Sequence, residues 1–471
     1  MEKLTKYFSE LETSKEHKGY FCSVGEAVTI VTLGTICGLR NVSQIHQWAE
    51  NPRVSEFLRE YFGIENIPCY YWLLCLLKII KPESLNRCFI RWVESILPPK
   101  MEGSTISLDG KTICSTGKME RYENPLHIVS AQIAQLGITF GQRAVEGKSN
   151  EIPAVRELLK LLRIKGCMVV ADALNCQKET AKTIIEQDAD YLLSVKDNQP
   201  TLKEEIVRFV QDSGLRKTMD HYETNEKNSG RIERRRAFST SEIGWLYGRE
   251  DWAGLACIGA INTRFTTKTG TSDEWHYYIS SRSLSAEELL RHARMEWSVE
   301  TMHWLLDVHF AEDFCRVEDE NIQQNLNMLR KLALNIIKLH KVKITSSRAI
   351  SKIMFDCLLD FAVFCPCCKI DFRAFPGTGL PFLWKSDIMV RFLMPNFCVA
   401  FLGKETDSHE KEKTKKWPMR LLTAAIKEAA RGGNIRLSER PDKCRRNRVN
   451  LHPNADYDPN TNSVQEGCSW Q

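Results

Sequence analysis

Two aspartates stand at the ends of short apolar runs, where a charged side chain is unexpected. Asp109 follows the letters ISL and precedes a glycine, and Asp172 follows CMVVA. An unpaired carboxylate buried in a sheet is costly, so an acid in this position predicts either a cap on the next turn or a bound cation. Each acid taken alone is equally well explained as a cap. If the two runs are neighbouring strands of one sheet, Asp109 and Asp172 face each other across its edge.

A third candidate acid, Glu300, lies in the stretch RMEWSVETMHWLLD. On one continuous helix, spacings of 4, 3 and 4 residues predict a shared polar face for Glu296, Glu300, His303 and Asp307. A solvated surface stripe would show the same pattern. Trp297 and Trp304 flank this face, however, and so indicate partial burial.

The chemistry that these residue types favour is metal-dependent. Two strand acids and one helix acid supply the oxygen ligands that Mg²⁺ or Mn²⁺ prefers. Two such ions, roughly 3.5–4 Å apart, activate a water or hydroxyl and stabilise the leaving oxygen of a phosphodiester. We therefore predict Asp109, Asp172 and Glu300 as both catalytic residues and metal ligands.

The elements that must position these acids can be read from hydrophobic periodicity. The stretches TISLDGKTIC, PLHIVSAQIAQLG and ITFGQRAVEG predict three successive strands. NEIPAVRELLKLLRIKG predicts a helix, CMVVADALN a strand, QKETAKTIIEQDA a helix and DYLLSVKDN a strand. A meander followed by alternating units is typical of a mixed α/β sheet with helices packed on it.

The remaining sequence divides the chain into three predicted parts. Residues 1–100 are predicted to form an all-helical domain, closed by a Pro-Pro-Lys linker. Residues 101–345 hold the predicted catalytic core, with a β-rich insertion at about 200–280. Residues 346–471 have no period, contain a charge run, and are predicted to be an atypical, largely disordered extension.

Composition excludes some classes of protein and permits others. The 471 residues carry a net charge of +5, and hydrophobic residues make up 43% of them. This balance permits nucleic acid as a partner without requiring it. No apolar run is long enough to span a bilayer, and the polar amino-terminal stretch lacks a signal core, so we expect no membrane partner. The odd count of 17 cysteines then favours reduced thiols in a cytoplasmic protein.

Several ordered motifs resemble the H-repeat-associated transposases of bacterial insertion sequences. The motifs are LDGKT, HIVSA, GKSNEI, CMVVADALNCQ, DYLLSVKDNQ, GRIERRR, YYISS and WSVETMHWLLDVHFAEDFCRV. The stretch GEAVTIVTLGTICGLRNVSQI also resembles the helical domain that precedes their catalytic core. The resemblance covers about residues 8–355. It is specific because the motifs keep their order at compatible spacing.

This resemblance implies a fold, a triad and a reaction. The implied fold is α/β: a ribonuclease-H-like mixed sheet flanked by helices with a β-rich insertion, plus the helical amino-terminal domain. The implied DDE triad is Asp109, Asp172 and Glu300, separated by 63 and 128 residues. The W-x-x-E context favours Glu300 over Glu296. The implied reaction cleaves DNA at element ends and transfers the strand into target DNA.

One departure from the wider superfamily concerns the helix of the third acid. Many relatives place a Tyr and an Arg before the glutamate and a Lys after it. Ala293, Glu296 and Asp307 stand at the equivalent positions. The basic contacts with DNA phosphates expected on this helix are therefore missing.

The resemblance also implies partners and cofactors. Two Mg²⁺ or Mn²⁺ ions are expected, with double-stranded DNA as partner, both terminal repeats and target. A homodimer on DNA is expected because two cut ends must be held together, and DNA binding would associate the protein with the nucleoid. Polar groups near the acids and on the insertion are predicted to contact DNA: Lys111, Lys148, Ser149, Asn150, Lys196, Asn198, Gln199, Arg231 and Arg234.

Other readings are open at this point. One is a catalytically inactive relic that still binds DNA, and another is a stand-alone ribonuclease-H-like nuclease. A zinc site at Cys357, Cys365, Cys367 and Cys368 is not favoured, because the spacing is wrong for two C-x-x-C knuckles. The histidines near the motifs are predicted to make core or helix-face contacts rather than to bind metal: His127, His303 and His309.

Overall fold

A computed structural model describes the greater part of the amino-terminal 339 residues. The described residues are 4–16, 18, 21–116, 125–146, 150–228, 231–267 and 270–339. The predicted extension after residue 345, with its cysteine cluster, lies outside them. None of the described helices is both long enough and apolar enough to cross a membrane.

Helices make up the described chain before the sheet, as the sequence predicts. They are α1 (Leu4–Phe8), α2 (Val24–Ile36), α3 (Val42–Ala49), α4 (Pro52–Phe62), α5 (Tyr70–Ile79) and α6 (Pro82–Ile96). Helix α2 begins at a capping box formed by Ser23 and Glu26 and is buried along its length. Its three threonines donate to carbonyls four residues earlier, so their hydroxyls are satisfied inside an apolar environment.

The central sheet follows the strand and helix order that the periodicity predicts. Its elements are β1 (Thr105–Thr112), β2 (Leu126–Ile133), β3 (Ile138–Glu146), α7 (Glu151–Leu161), β4 (Met168–Ala171), α8 (Lys178–Ile185) and β5 (Asp190–Val195). The spatial order is β3-β2-β1-β4-β5. Strands β1, β4 and β5 are parallel, whereas β2 is antiparallel to β1 and β3. This arrangement confirms the predicted ribonuclease-H-like mixed sheet.

The insertion extends this sheet instead of forming a separate one. Its strands are β6 (Asp220–Asn228), β7 (Arg231–Thr240), β8 (Cys257–Thr266) and β9 (Thr271–Ser280). Strand β9 pairs antiparallel with β5, which gives one nine-stranded sheet. The strand texture predicted from about residue 200 starts only at Asp220. Two helices precede it, α9 (Pro200–Gln211) and α10 (Ser213–Arg216).

The last described helices return to the central sheet. They are α11 (Ala286–Glu296), α12 (Ser298–Phe310) and α13 (Glu320–Leu339). Helices α11 and α12 contact β1, and α13 packs on β3 and α2. The expectation of one continuous helix through Glu296 and Asp307 is wrong, because the chain breaks at Trp297. At this break the Ser107 hydroxyl of β1 donates to the Met295 carbonyl at 2.7 Å.

Candidate active site

The register of β1 and β4 places the two aspartates side by side. The last paired positions of these parallel strands are Leu108 and Ala171. Asp109, which is still within β1, and Asp172, the residue after β4, come next, so they stand at the same level where the pairing of the two strands ends. The side-by-side arrangement predicted for neighbouring strands is therefore present.

Hydrogen bonds from Asn175 hold Asp172 in place. Asp172 precedes a short 3₁₀ turn, and its Oδ1 accepts from the backbone amide of Asn175 at 3.3 Å and from its Nδ2 at 3.0 Å. Burial nevertheless raises the pKa of Asp172 above its usual range, and the charges of Glu151 and Asp109 add to this rise. Asp172 therefore acts as a turn cap and also carries a charge that the fold alone does not favour.

A buried polar chain continues from Asn175 to β1. The Asn175 Nδ2 also donates to Glu151 Oε1 at 3.0 Å, and Glu151 Oε2 lies 2.8 Å from His127 Nε2. The other ring nitrogen of His127 lies 2.9 Å from the Thr112 hydroxyl. Glu151, His127 and Asn175 are all nearly inaccessible to solvent. These residues tie β1, β2, α7 and the turn after β4 together.

Glycine is required beside Asp109 because of this chain. A Cβ at Gly110 would lie 2.4 Å from His127 Nε2 and 2.6 Å from Glu151 Oε2, well inside contact distance. The Asp-Gly dipeptide therefore does not form a hairpin turn here. Gly110 is a strand residue that lets a buried His–Glu pair approach the backbone next to the first acid.

Helix α12 contacts Asp109 through His303. The Nδ1 of His303 lies 3.3 Å from Asp109 Oδ2. Glu300 stands one turn earlier, in the first turn of α12, and is exposed. The partial burial predicted for the polar face is confirmed, because His303 is buried and Glu296 and Asp307 are half-buried. The flanking Trp297 and Trp304 are themselves 48% and 52% exposed. They lie on the outer side of the helix.

Glu296 occupies a more enclosed position than Glu300. Burial raises the pKa of Glu296 to about 7, and the charges of Asp172, Glu300 and Asp109 contribute to the rise while Lys196 opposes it. We call Asp109, Asp172, Glu296 and Glu300 the acid cluster. In the part of the chain that the structure describes, no three His, Cys, Asp or Glu side chains lie close enough together to bind one metal ion as they stand.

Lys111 has a different environment from the one predicted. Its ammonium pairs with Asp307, lies 2.8 Å from Glu312 Oε2 and 3.7 Å from Asp313 Oδ1, and the side chain is only 15% exposed. Burial acts to lower the pKa of Lys111, but Glu312 and Asp307 outweigh it and the pKa is raised. We call these four residues the lysine cluster. Lys111 is therefore engaged with three carboxylates of the chain itself, and its contact with a DNA phosphate stays a prediction.

Two other predicted DNA contacts are engaged with the chain itself. The side-chain amide of Asn198 donates to the Ala173 carbonyl at 2.6 Å, and that of Gln199 donates to the Cys176 carbonyl at 3.0 Å. Both therefore support the turn that follows Asp172. Their contact with DNA stays a prediction.

The remaining predicted contacts have mixed surroundings. Lys196 and Asn150 are exposed. Arg234 forms a bidentate pair with Glu223 at 2.7 and 2.8 Å. Arg231 pairs with Glu233 and lies over the Phe265 ring at 4.8 Å. Two further predicted residues, Lys148 and Ser149, lie outside the described residues.

Sequence reasoning did not single out Glu151 and Asn175, and it assigned His127 only core or helix-face contacts and no role in supporting the acids. Glu151, Asn175 and His127 lie within GKSNEI, CMVVADALNCQ and HIVSA, three of the motifs on which the resemblance rests. Their presence in those motifs was the available signal. Without the contacts seen in the structure, these residues could not be assigned a supporting role.

Family models match two parts of the chain. The family described as "Transposase DDE domain" matches residues 102–336, and the family described as "DDE_Tnp_1-associated" matches residues 5–93. The first match contains the acid cluster. The second coincides with the helices before the sheet.

Individual relatives agree with these matches. The chain is 31% identical over 324 residues to "H repeat-associated putative transposase YhhI" of Escherichia coli K12, covering 66% of this chain and 85% of the relative. It is 32% identical over 295 residues to "Putative protein YbfL" of the same strain, covering 61% and 78%. Among solved structures, the piggyBac transposase in a synaptic complex with hairpin DNA covers 85% of this chain and 82% of its own, at 10% identity and a TM-score of 0.36. This last similarity is too low to support an argument.

Proposed function

This chain belongs to the DDE transposase family, and we propose that it cuts DNA at the ends of its mobile element and joins the freed ends to target DNA. The observation that carries the proposal is the register that sets Asp109 beside Asp172 where the parallel pairing of β1 and β4 ends. Glu300 lies one turn from His303, which contacts Asp109. We propose that Glu300 completes the triad with these two aspartates.

The donor set at this end suits a hard divalent cation. Carboxylates predominate, and burial with mutual repulsion raises the pKa values of Asp172 and Glu296. The buried Oδ1 of Asn175 has no hydrogen-bond partner among the described residues, which adds an oxygen beside Asp172. Family membership supports dependence on divalent metal in general. We propose Mg²⁺ or Mn²⁺, with two ions held by Asp109 and Asp172 and completed by Glu300.

The chain's own residues would orient these acids. His303 fixes the side chain of Asp109, and Asn175 fixes that of Asp172. Glu300 is exposed and must turn inward to share an ion with the aspartates. Bound ions would supply activation of the attacking oxygen and charge neutralisation at the leaving oxygen.

We propose double-stranded DNA as the partner, both as terminal repeats and as target. The exposed Lys196 and Asn150 are the best placed of the predicted contacts. The other predicted contacts remain proposals of the same kind: Lys111, Lys148, Ser149, Asn198, Gln199, Arg231 and Arg234. A homodimer on DNA follows from the need to hold two cut ends, and action on DNA places the protein in the cytoplasm with the nucleoid.

The test uses labelled DNA carrying the element ends, with Mg²⁺, Mn²⁺ or a chelator. Cleavage at the ends followed by joining to a second duplex supports the proposal. Nicking without end specificity would indicate a stand-alone nuclease instead. Binding without cleavage in any metal would indicate an inactive relic and would overturn the proposal.

A further inference from the structure

We propose that Glu151 is a positioning residue for the DNA-cleavage reaction, acting on Asp172 through the side-chain amide of Asn175. This inference rests on the proposed function, because it assigns Asp172 as a metal ligand. Among the described residues, Glu151 makes no hydrogen bond to the acids of the predicted triad, although its charge contributes to the raised pKa of Asp172. Its effect is therefore exerted through its neighbours.

The amide nitrogen of Asn175 lies between two carboxylates. Its two hydrogens are directed to Asp172 Oδ1 and Glu151 Oε1. Each of these oxygens lies 3.0 Å from the nitrogen. An amide that donates to both acids has one orientation available, since turning it over would direct its carbonyl oxygen at a carboxylate. Glu151 therefore determines which way Asn175 points, and Asn175 determines where Asp172 Oδ1 lies.

Glu151 is held from its other side by His127. The His127 Nε2 lies 2.8 Å from Glu151 Oε2, and the Nδ1 of the same ring lies 2.9 Å from the Thr112 hydroxyl of β1. Because Gly110 has no side chain, this pair can pack against the backbone of β1. One chain of contacts thus connects the strand of Asp109 with the carboxylate of Asp172.

The hydrogen bonds that orient a metal-binding side chain commonly control how tightly the metal is bound. Their loss typically weakens metal affinity roughly 10–100-fold. Removing the Glu151 carboxylate should free Asn175 to rotate and leave Asp172 without a fixed orientation. The substitution Glu151→Gln keeps an acceptor for Asn175. It also presents a donor to His127 Nε2, which that ring can accept once its proton moves to Nδ1, facing Thr112.

The experiment measures Mn²⁺ binding to the full chain by electron paramagnetic resonance of free Mn²⁺, together with thermal unfolding. We expect Glu151→Ala and Asn175→Ala each to raise the Kd for Mn²⁺ by about 10–100-fold. Glu151→Gln should raise it by much less. The double variant should be no weaker than either single one, because both act through one hydrogen bond.

The matched control is Asn335→Ala. Asn335 is a buried amide that bonds the backbone of Thr139 at 2.8 Å through both its oxygen and its nitrogen, at the α13–β3 contact. The Asn335→Ala substitution should lower the Tm without changing the Kd for Mn²⁺. If Glu151→Ala and Asn175→Ala behave like this control, the positioning role is wrong. If Glu151→Gln binds Mn²⁺ as weakly as Glu151→Ala does, the charge of Glu151 is required directly. That result would also overturn the proposal.

A further variant separates this inference from the proposed function. Asp172→Asn should abolish measurable Mn²⁺ binding. If Asp172→Asn binds Mn²⁺ as the unmodified protein does, the metal site itself is misassigned. If Asp172→Asn loses binding while Glu151→Ala and Asn175→Ala keep it, only the positioning role fails.

Discussion

The acid cluster and the lysine cluster border the same strand and the same helix, but their surroundings are opposite. In the lysine cluster, the ammonium of Lys111 serves three carboxylates, and it lowers the pKa of the fully buried Glu312 against the effect of burial. In the acid cluster, burial and like charges raise the pKa values of Asp172 and Glu296. Within the described chain, no Lys or Arg side chain lies at ion-pair distance from Asp172.

The difference shows how one end of a sheet can carry two functions. Carboxylates neutralised by a buried lysine hold α12 against β1, because losing either partner would leave a charge buried. Carboxylates without such a partner are destabilising in the protein alone and are stabilised by a cation from outside. Substitutions of the triad acids Asp109, Asp172 and Glu300 should therefore change activity, whereas substitutions in the lysine cluster should change stability.

The largest effect is expected in the acid cluster. Asp109→Asn, Asp172→Asn and Glu300→Gln should each reduce cleavage of labelled element ends on the order of 10³-fold or more. DNA affinity and the free energy of unfolding should be unchanged or slightly raised, since each substitution removes a repelling charge. Glu296→Gln is the matched control and should still cleave. Full activity in Glu300→Gln would show that the third acid is misassigned.

The lysine cluster should show the reverse pattern. Lys111→Met removes the ammonium from the buried Glu312 and should lower the free energy of unfolding by about 3–5 kcal/mol, measured in urea. The surface pair of Lys178 and Asp251 offers the comparison. Lys178→Met should change stability by no more than about 1 kcal/mol. An equal effect of the two substitutions would contradict the structural role of Lys111.

The pH dependence of stability tests the enclosed position of Glu296. Its pKa is about 7 in the folded protein and 4.5 ordinarily, so the folded state retains a proton between these values. The stabilisation that this proton confers is complete below about pH 4.5 and is lost as the pH rises through about 7. Relative to Glu296→Gln, the protein should lose about 3 kcal/mol over this range. Urea unfolding at several pH values in the presence of a chelator measures this loss. A difference in the free energy of unfolding between the two proteins that stays constant with pH would refute the prediction.

The smallest effect concerns cations outside both clusters. Lys196 is exposed beside the acid cluster, whereas Arg234 is paired with Glu223. Lys196→Ala should reduce the slope of log Kd for DNA against log salt by about one, as expected for one lost phosphate contact. Arg234→Ala should change it less. The opposite ranking would mean that the arginine pairs of the insertion open on DNA.

The central sheet could be predicted from the sequence because its strands are short, apolar and separated by clear turns. Asp109 and Asp172 followed from the same pattern, since an acid at the end of a buried run is conspicuous. The order of neighbouring strands then fixes their proximity. Hydrophobic periodicity thus predicted both the elements and two of the three proposed catalytic acids.

The break between α11 and α12 could not be predicted in this way. No proline or glycine stands near Trp297, and the polar spacing fits an unbroken helix. The Ser107 hydroxyl bonds the Met295 carbonyl, which an unbroken helix would pair with the amide four residues later. A tertiary contact therefore accompanies the break, and it separates Glu296 from Glu300. The partners of Lys111 and Glu151 were hidden for the same reason.

The pairing of β5 with β9 has a mechanical consequence. Hydrogen bonds run without interruption from the strand of Asp172 through β5 into the hairpins of the insertion. The insertion is therefore joined to the catalytic sheet by backbone pairing of Tyr277–Ser280 with Leu192–Val195, and not by a linker alone.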